Sequence, residues 1–153
     1  MNEQNKPKPI TILMADDDAE DCDMARAAIE KNHLLNHFVA VSDGEELLNY
    51  LYHRGAWSNE ADSPRPGMIL LDLNMPKMDG REALASIKED PQLRQIPIVI
   101  LTTSQAEEDI FASYDLGANS FITKPVTFEQ LVDVMRGLSQ YWLQIVALPR
   151  GAM

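Results

Sequence analysis

The stretch "GMILLDLNMPKMDG", Gly67 to Gly80, decides the fold. Its first half, Met68-Ile69-Leu70-Leu71, is an unbroken apolar run, the pattern of a strand buried on both faces. The run ends on an acid, Asp72, with Asn74, Pro76, Asp79 and Gly80 just beyond. A charge at the end of a buried strand has to be solvated, paired or chemically employed.

Four further short apolar runs recur along the chain: "ITILMA" (10–15), "FVAVS" (38–42), "IPIVILT" (96–102) and "NSFIT" (119–123). The segments between them have helical spacing. Met24, Ala25, Ala28 and Ile29 share one helical face, as do Leu47, Leu48 and Leu51, and then Leu84 and Ile87. Ile110, Phe111 and Tyr114 form a fourth such set, and Leu131, Val134, Met135 and Leu138 a fifth. Ser42 with Glu45, Asp79 with Glu82, Ser104 with Glu107 and Thr127 with Gln130 fit or approximate capping boxes at helix starts. The alternation βαβαβαβαβα predicts a parallel sheet with helices on both faces, joined by right-handed crossovers. In such sheets ligands bind outside the carboxyl ends of the strands, which is where Asp72 stands.

The chain has 153 residues, enough for one domain with a sizeable core. Its formal charge is −11, from 24 acids and 13 bases, which argues against a nucleic-acid surface or a polybasic membrane anchor. Cys22 is the only cysteine, so no intramolecular disulfide can form; this suits a reducing, cytoplasmic compartment. No apolar run approaches the roughly 18 residues of a spanning helix. Residues 1–9 read as a mobile polar tail without a secretory h-region. Two regions exceed a minimal α/β unit: the loop 52–67, rich in Gly, Pro and Ser, and the apolar extension 139–153. Trp57 in that loop is expected to anchor it. His33, His37 and His53 have no metal-ligand spacing and are expected at the surface or in capping roles.

The first apolar run also ends in acids, Asp16, Asp17 and Asp18. If it neighbours the run that ends on Asp72, at least three carboxylates converge at one rim, because neighbouring strands lie about 4.8 Å apart. Unscreened acids that close oppose one another's ionisation. A divalent cation removes the conflict, and all-oxygen donors favour Mg²⁺ or Mn²⁺ over zinc. The bland alternative, helix caps and loop acids, fits Asp18, which stands before a helix beginning near Ala19. Thr102, Thr103 and Ser104 close the fourth run and Lys124 follows the fifth, so a hydroxyl and an ammonium can join the acids in binding an anion.

The set "ADDD", "LLDLNMPKMDG", "ILTTS" and "TKP" resembles the receiver domain of two-component response regulators over residues 10–138. The resemblance implies a flavodoxin-like doubly wound sheet of five parallel strands, order 2-1-3-4-5, with five helices. It implies that Asp72 is the phosphoacceptor. Asp16, Asp17, Asp72 and the backbone carbonyl of Asn74 would hold the metal. Thr102 is then the switch hydroxyl, Phe121 the switch aromatic and Lys124 the phosphate-pairing ammonium, with the Lys124–Pro125 peptide cis. Asn74 and Ser104 would tune dephosphorylation. Asp18 adds a third acid to the usual pattern, and Thr103 stands where small residues are frequent. The long loop and the tail are similar to single-domain regulators that partner cyanobacterial and bacterial phytochrome histidine kinases. That narrower resemblance implies a phytochrome-type sensor kinase as partner. It also implies a homodimer contact through Tyr141, Trp142, Leu143, Ile145 and Val146, and output by protein contacts or a downstream phosphorelay protein. No membrane or nucleic-acid partner is expected.

Two other functions compete. An aspartate-nucleophile phosphatase of the haloacid-dehalogenase type needs an acid pair two apart followed by Thr or Val, and "DDDAED" lacks that residue. An unphosphorylated receiver-like scaffold would not need the intact acidic set and Lys124. No Gly-x-Gly-x-x-Gly follows the first run, which disfavours a dinucleotide enzyme.

Overall fold

The structure is a computed structural model that describes residues 10–32, 37–73, 75, 77–78, 80–102, 120–123 and 127–137. The apolar runs become short strands: β1 (Ile12–Ala15), β2 (Phe38–Val41), β3 (Met68–Leu71), β4 (Ile98–Thr102) and β5 (Ser120–Thr123). The described helices are α1 (Ala19–Lys31), α2 (Gly44–Leu51) and α3 (Gly80–Glu89), with a further helix over 128–137. All described pairings are parallel, in the order β2-β1-β3-β4-β5. β1 lies between β2 and β3, with Ala15 opposite both Val41 and Leu71.

Every residue of β1 and β3 is buried because successive side chains serve opposite faces of the sheet. Leu13, Ala15, Ile69 and Leu71 pack with Leu47 of α2 and with Leu84 and Ile87 of α3. Ile12, Met14, Met68 and Leu70 pack with Ala25, Ala28 and Ile29 of α1 and with Leu131 and Met135 of the 128–137 helix. Full burial of each large aliphatic side chain contributes about 1.5–3 kcal/mol. A polar tie joins the two helices of the second face: Asn32 Nδ2 donates to the carbonyls of Ala28 and Val132, both at 3.0 Å.

The helix faces differ from expectation in detail. Cys22 joins Ala25, Ala28 and Ile29 in the core, while Met24 is only partly buried. In the 128–137 helix the packed stripe is Phe128, Leu131, Val132 and Met135, and Val134 is half-buried. The stripe keeps i, i+3, i+4, i+7 spacing but turns toward α1, because the helix must cover the sheet and α1 together.

Three helix starts carry described caps. Asp18 caps α1, its Oδ1 accepting from Glu20 N at 2.9 Å and Asp21 N at 3.4 Å. Thr127 and Gln130 form the reciprocal pair expected of a capping box, both bonds at 3.2 Å. At α2 the box is displaced by one residue from the expected Ser42 and Glu45. Asp43 is the cap, accepting from Glu46 N at 2.7 Å, and Glu46 reaches back to Ser42 N, also at 2.7 Å. An aspartate and a serine adjacent in sequence both qualify as caps; the helix start settles on the more buried Asp43. Asp79, Ser104 and Glu107 lie outside the described residues, as do Ile110, Phe111, Tyr114 and Leu138.

Trp57 anchors the long loop. It sits in a 3-10 turn (Gly55–Trp57), packs on the core, and meets Tyr50 edge-on at 5.0 Å between ring centroids. Tyr50 donates its hydroxyl to Pro64 O at 2.7 Å, and His53 Nδ1 lies 2.8 Å from Ser63 Oγ. His53 thus has a structural role within the loop. His33 falls outside the described residues. No helix among the described residues is long and apolar enough to cross a membrane.

Candidate functional site

The register of the sheet builds the site. The parallel ladder continues one residue past β1 and β3: Asp16 N–H donates to Val41 O, and Asp72 N–H donates to Ala15 O, both at 3.0 Å. Asp16 and Asp72 are therefore fixed by backbone bonds at the carboxyl ends of adjacent strands. Carboxylate oxygens of Asp16, Asp17 and Asp72 all lie within 4.8 Å of one another. Asp16 and Asp72 are 2% and 7% exposed, whereas Asp17 faces solvent. The cluster has a buried floor and an open side.

Local bonds keep the acids in place. Asp16 Oδ1 accepts from Asp18 N–H at 2.9 Å, and the Cys22 thiol lies 3.7 Å from Asp16 O. Asp18 turns away to cap α1, so the third acid of "DDD" does not enter the cluster. Beyond Asp72 the chain folds back tightly: Gly80 N–H donates to Leu73 O at 3.0 Å, and a Cβ at Gly80 would overlap Asp72 O. Only glycine permits that approach. Beside the acids, a groove of about 300 Å³ between α1 and β2 is lined by Asp16, Asp17, Cys22, Arg26, Ser42 and Glu46.

The donor set fits a divalent cation. Two oxygens bound to one Mg²⁺-sized ion at about 2.0–2.1 Å lie at most about 4.2 Å apart. Small rotations of side chains already within 4.8 Å would close the set. Oxygen donors without His or Cys suit a hard ion, and shared positive charge relieves the crowding of three acids.

Of the other expected site residues, Thr102 ends β4 opposite Thr123, and Phe121 lies in β5 opposite Ile100. Asn74, Ser104, Lys124 and Pro125 lie outside the described residues, as do Tyr141, Trp142, Leu143, Ile145 and Val146 of the extension. Sequence reasoning missed two glycines that shape the site loop. Gly80 abuts Asp72, and Gly44 abuts Met78. The signal was present in "MDG" and "SDGEE", where a glycine opens each helix, but the partner of Gly44 is far away along the chain.

Comparison with known proteins gives a consistent result. Residues 12–136 match the response regulator receiver domain family. The response regulator Rcp1 of Synechocystis sp. is 39% identical over 148 residues, covering 97% of this chain and 97% of its own length. The phosphorylated cyanobacterial phytochrome response regulator RcpA superposes with a TM-score of 0.81 at 42% identity, over 89% of this chain and 95% of that one. The Mn²⁺-bound form of Rcp1 gives 0.79 at 38% identity, over 88% and 95%. With the acids at the ends of adjacent parallel strands and matches of this extent, the chain belongs to the response regulator receiver domain family.

Proposed function

We propose that this chain is a response regulator whose Asp72 accepts a phosphoryl group from the phosphohistidine of a partner sensor kinase. The observation that carries the reading is the convergence of Asp16, Asp17 and Asp72 at adjacent strand ends. An Asp72 carboxylate oxygen attacks phosphorus in line. The P–O bond forms as the P–N bond to the donor histidine breaks, and the histidine leaves as neutral imidazole, keeping the proton already on its other ring nitrogen. A bound divalent ion, for which Mg²⁺ is our assignment, would supply positive charge for the attacking and phosphoryl oxygens. Asp16 and Asp17 would hold it together with Asp72 and the Asn74 carbonyl. Backbone bonds at both strand ends already fix the main chains of Asp16 and Asp72.

We assign the remaining roles by likeness to the family. Lys124 would pair with the phosphoryl group, and Thr102 would move toward it while Phe121 turns inward, a population shift between two states. Asn74 and Ser104 would tune hydrolysis of the acyl phosphate. We assign the complete doubly wound, flavodoxin-like order 2-1-3-4-5 with five helices to residues 10–138. The described pairings support it. Receiver domains imply a sensor kinase partner. The relatives named as phytochrome response regulators make a phytochrome-type kinase our choice for it. We assign the apolar stretch Tyr141–Val146 to a homodimer contact. The phosphatase reading is not favoured, because the family match spans 12–136.

Incubation with acetyl phosphate and Mg²⁺, followed by intact mass and size-exclusion chromatography, tests the assignment. One phosphoryl adduct is expected on the wild type and none on Asp72→Asn. Equal labelling of both would remove Asp72 from its role.

A further inference from the structure

The loop between β3 and α3 is gripped from outside by the start of α2. Gly44 N–H is one of the donors that a helix start leaves without an intrahelical acceptor. It donates to Met78 O at 2.9 Å. The approach is close enough that a Cβ at Gly44 would overlap that same carbonyl oxygen. One residue earlier, Asp43 uses both carboxylate oxygens. Oδ1 caps α2 through Glu46 N at 2.7 Å, and Oδ2 lies 3.8 Å from Lys77 Nζ. Lys77 itself has φ of 63°, a left-handed conformation that a residue with a side chain holds where its surroundings impose it. Met78 is two residues from Gly80, which packs directly on the Asp72 carbonyl. The α2 start thus touches the acceptor loop at Met78, and Gly80, two positions on, touches the acceptor.

We infer that Asp43 and Gly44 are positioning residues for the acceptor: they hold the β3–α3 loop in the shape that keeps Asp72 beside Asp16 and Asp17. The inference rests on the reading of Asp72 as phosphoacceptor. Neither residue touches the reacting atoms. Their effect passes through loop shape, so it falls on metal affinity and on the labelling step together.

Gly44→Ala is the direct test. Alanine favours the helix more than glycine, so any harm comes from the displaced carbonyl. Gly137→Ala, also a helical glycine but with open space around it, is the control. Two quantities are measured on folded protein: Mn²⁺ affinity by electron paramagnetic resonance, and the first-order labelling rate at saturating acetyl phosphate and Mg²⁺. Gly44→Ala is expected to weaken Mn²⁺ binding and to slow labelling, each at least fivefold, with Gly137→Ala within twofold of wild type. Asp43→Asn keeps the cap and removes the charge facing Lys77. It is expected to lower both quantities about threefold, and it keeps the test alive if Gly44→Ala does not fold. Lower thermal stability with Mn²⁺ affinity and labelling both unchanged would overturn the inference, leaving a structural role only. The two readings separate cleanly. If wild type and Asp72→Asn label alike, the acceptor assignment fails, while the Mn²⁺ measurement still decides whether Gly44 positions the acids.

Discussion

Replacing Asp72 by asparagine is expected to stabilise the metal-free protein and to abolish its stabilisation by Mg²⁺. The three carboxylates lie within 4.8 Å of one another, two of them buried. At that separation two unit charges repel by about 3.5 kcal/mol at an effective dielectric constant near 20, the value suited to Asp16 and Asp72. The exposed Asp17 adds about 0.9 kcal/mol at the dielectric constant of water. Together these give about 4 kcal/mol of repulsion at that separation. Solvent screening and repulsion surviving in the unfolded chain reduce it, so a net gain of about 1–3 kcal/mol is expected. With an m-value near 2 kcal/mol/M, the urea midpoint in EDTA should rise by about 0.5–1.5 M. Wild-type protein should gain about 2.7 kcal/mol when Mg²⁺ reaches 100 times its dissociation constant. The variant should gain almost nothing over the same range. A variant less stable than wild type in EDTA, or one with an undiminished response to Mg²⁺, would refute the claim that Asp72 is crowded by the other two acids and shares an ion with them.

Two further outcomes are expected. Burial pushes the Tyr50 hydroxyl up to about 12, above its ordinary value of 10.0. The folded state therefore keeps the proton while the unfolded state loses it. Stability from this group is complete below the unfolded value and declines as pH rises from there through the folded value. Tyr50→Phe should lose that alkaline decline in urea titrations run across this window, and an unchanged slope would refute the assignment. Asp18→Ala should cost about 1 kcal/mol by removing the α1 cap, whereas Asp18→Asn should restore most of it and leave acetyl phosphate labelling intact. Loss of labelling in Asp18→Asn would place Asp18 among the metal ligands.

Much of this protein is legible along its sequence because the relevant physics is local. Four-residue apolar runs such as Met68–Leu71 mark strands buried on both faces, and acids directly after two of them mark strand ends. Asp18 ahead of Ala19 marks a helix start, and Thr127 with Gln130 marks another. Where two adjacent residues have nearly equal local preference, the sequence is ambiguous. Ser42 and Asp43 both make good caps, and the choice fell to the residue that also faces Lys77 from the β3–α3 loop. The stripe on the 128–137 helix shifted to Val132 because α1, about 100 positions earlier in the chain, shares the surface it covers.

The amino-acid order by itself determined which segments become strands and helices, because periodicity and capping act over a few residues. It determined too that acids would stand at two strand ends. Only the tertiary structure decided that those ends are neighbours, through the register that sets Ala15 beside Leu71. It also brought the carboxylates of Asp16, Asp17 and Asp72 within reach of one ion. It also pressed Gly44 of α2 against the Met78 carbonyl of the acceptor segment. Such contacts depend on where distant segments meet in space, and no local pattern of residues encodes that distance.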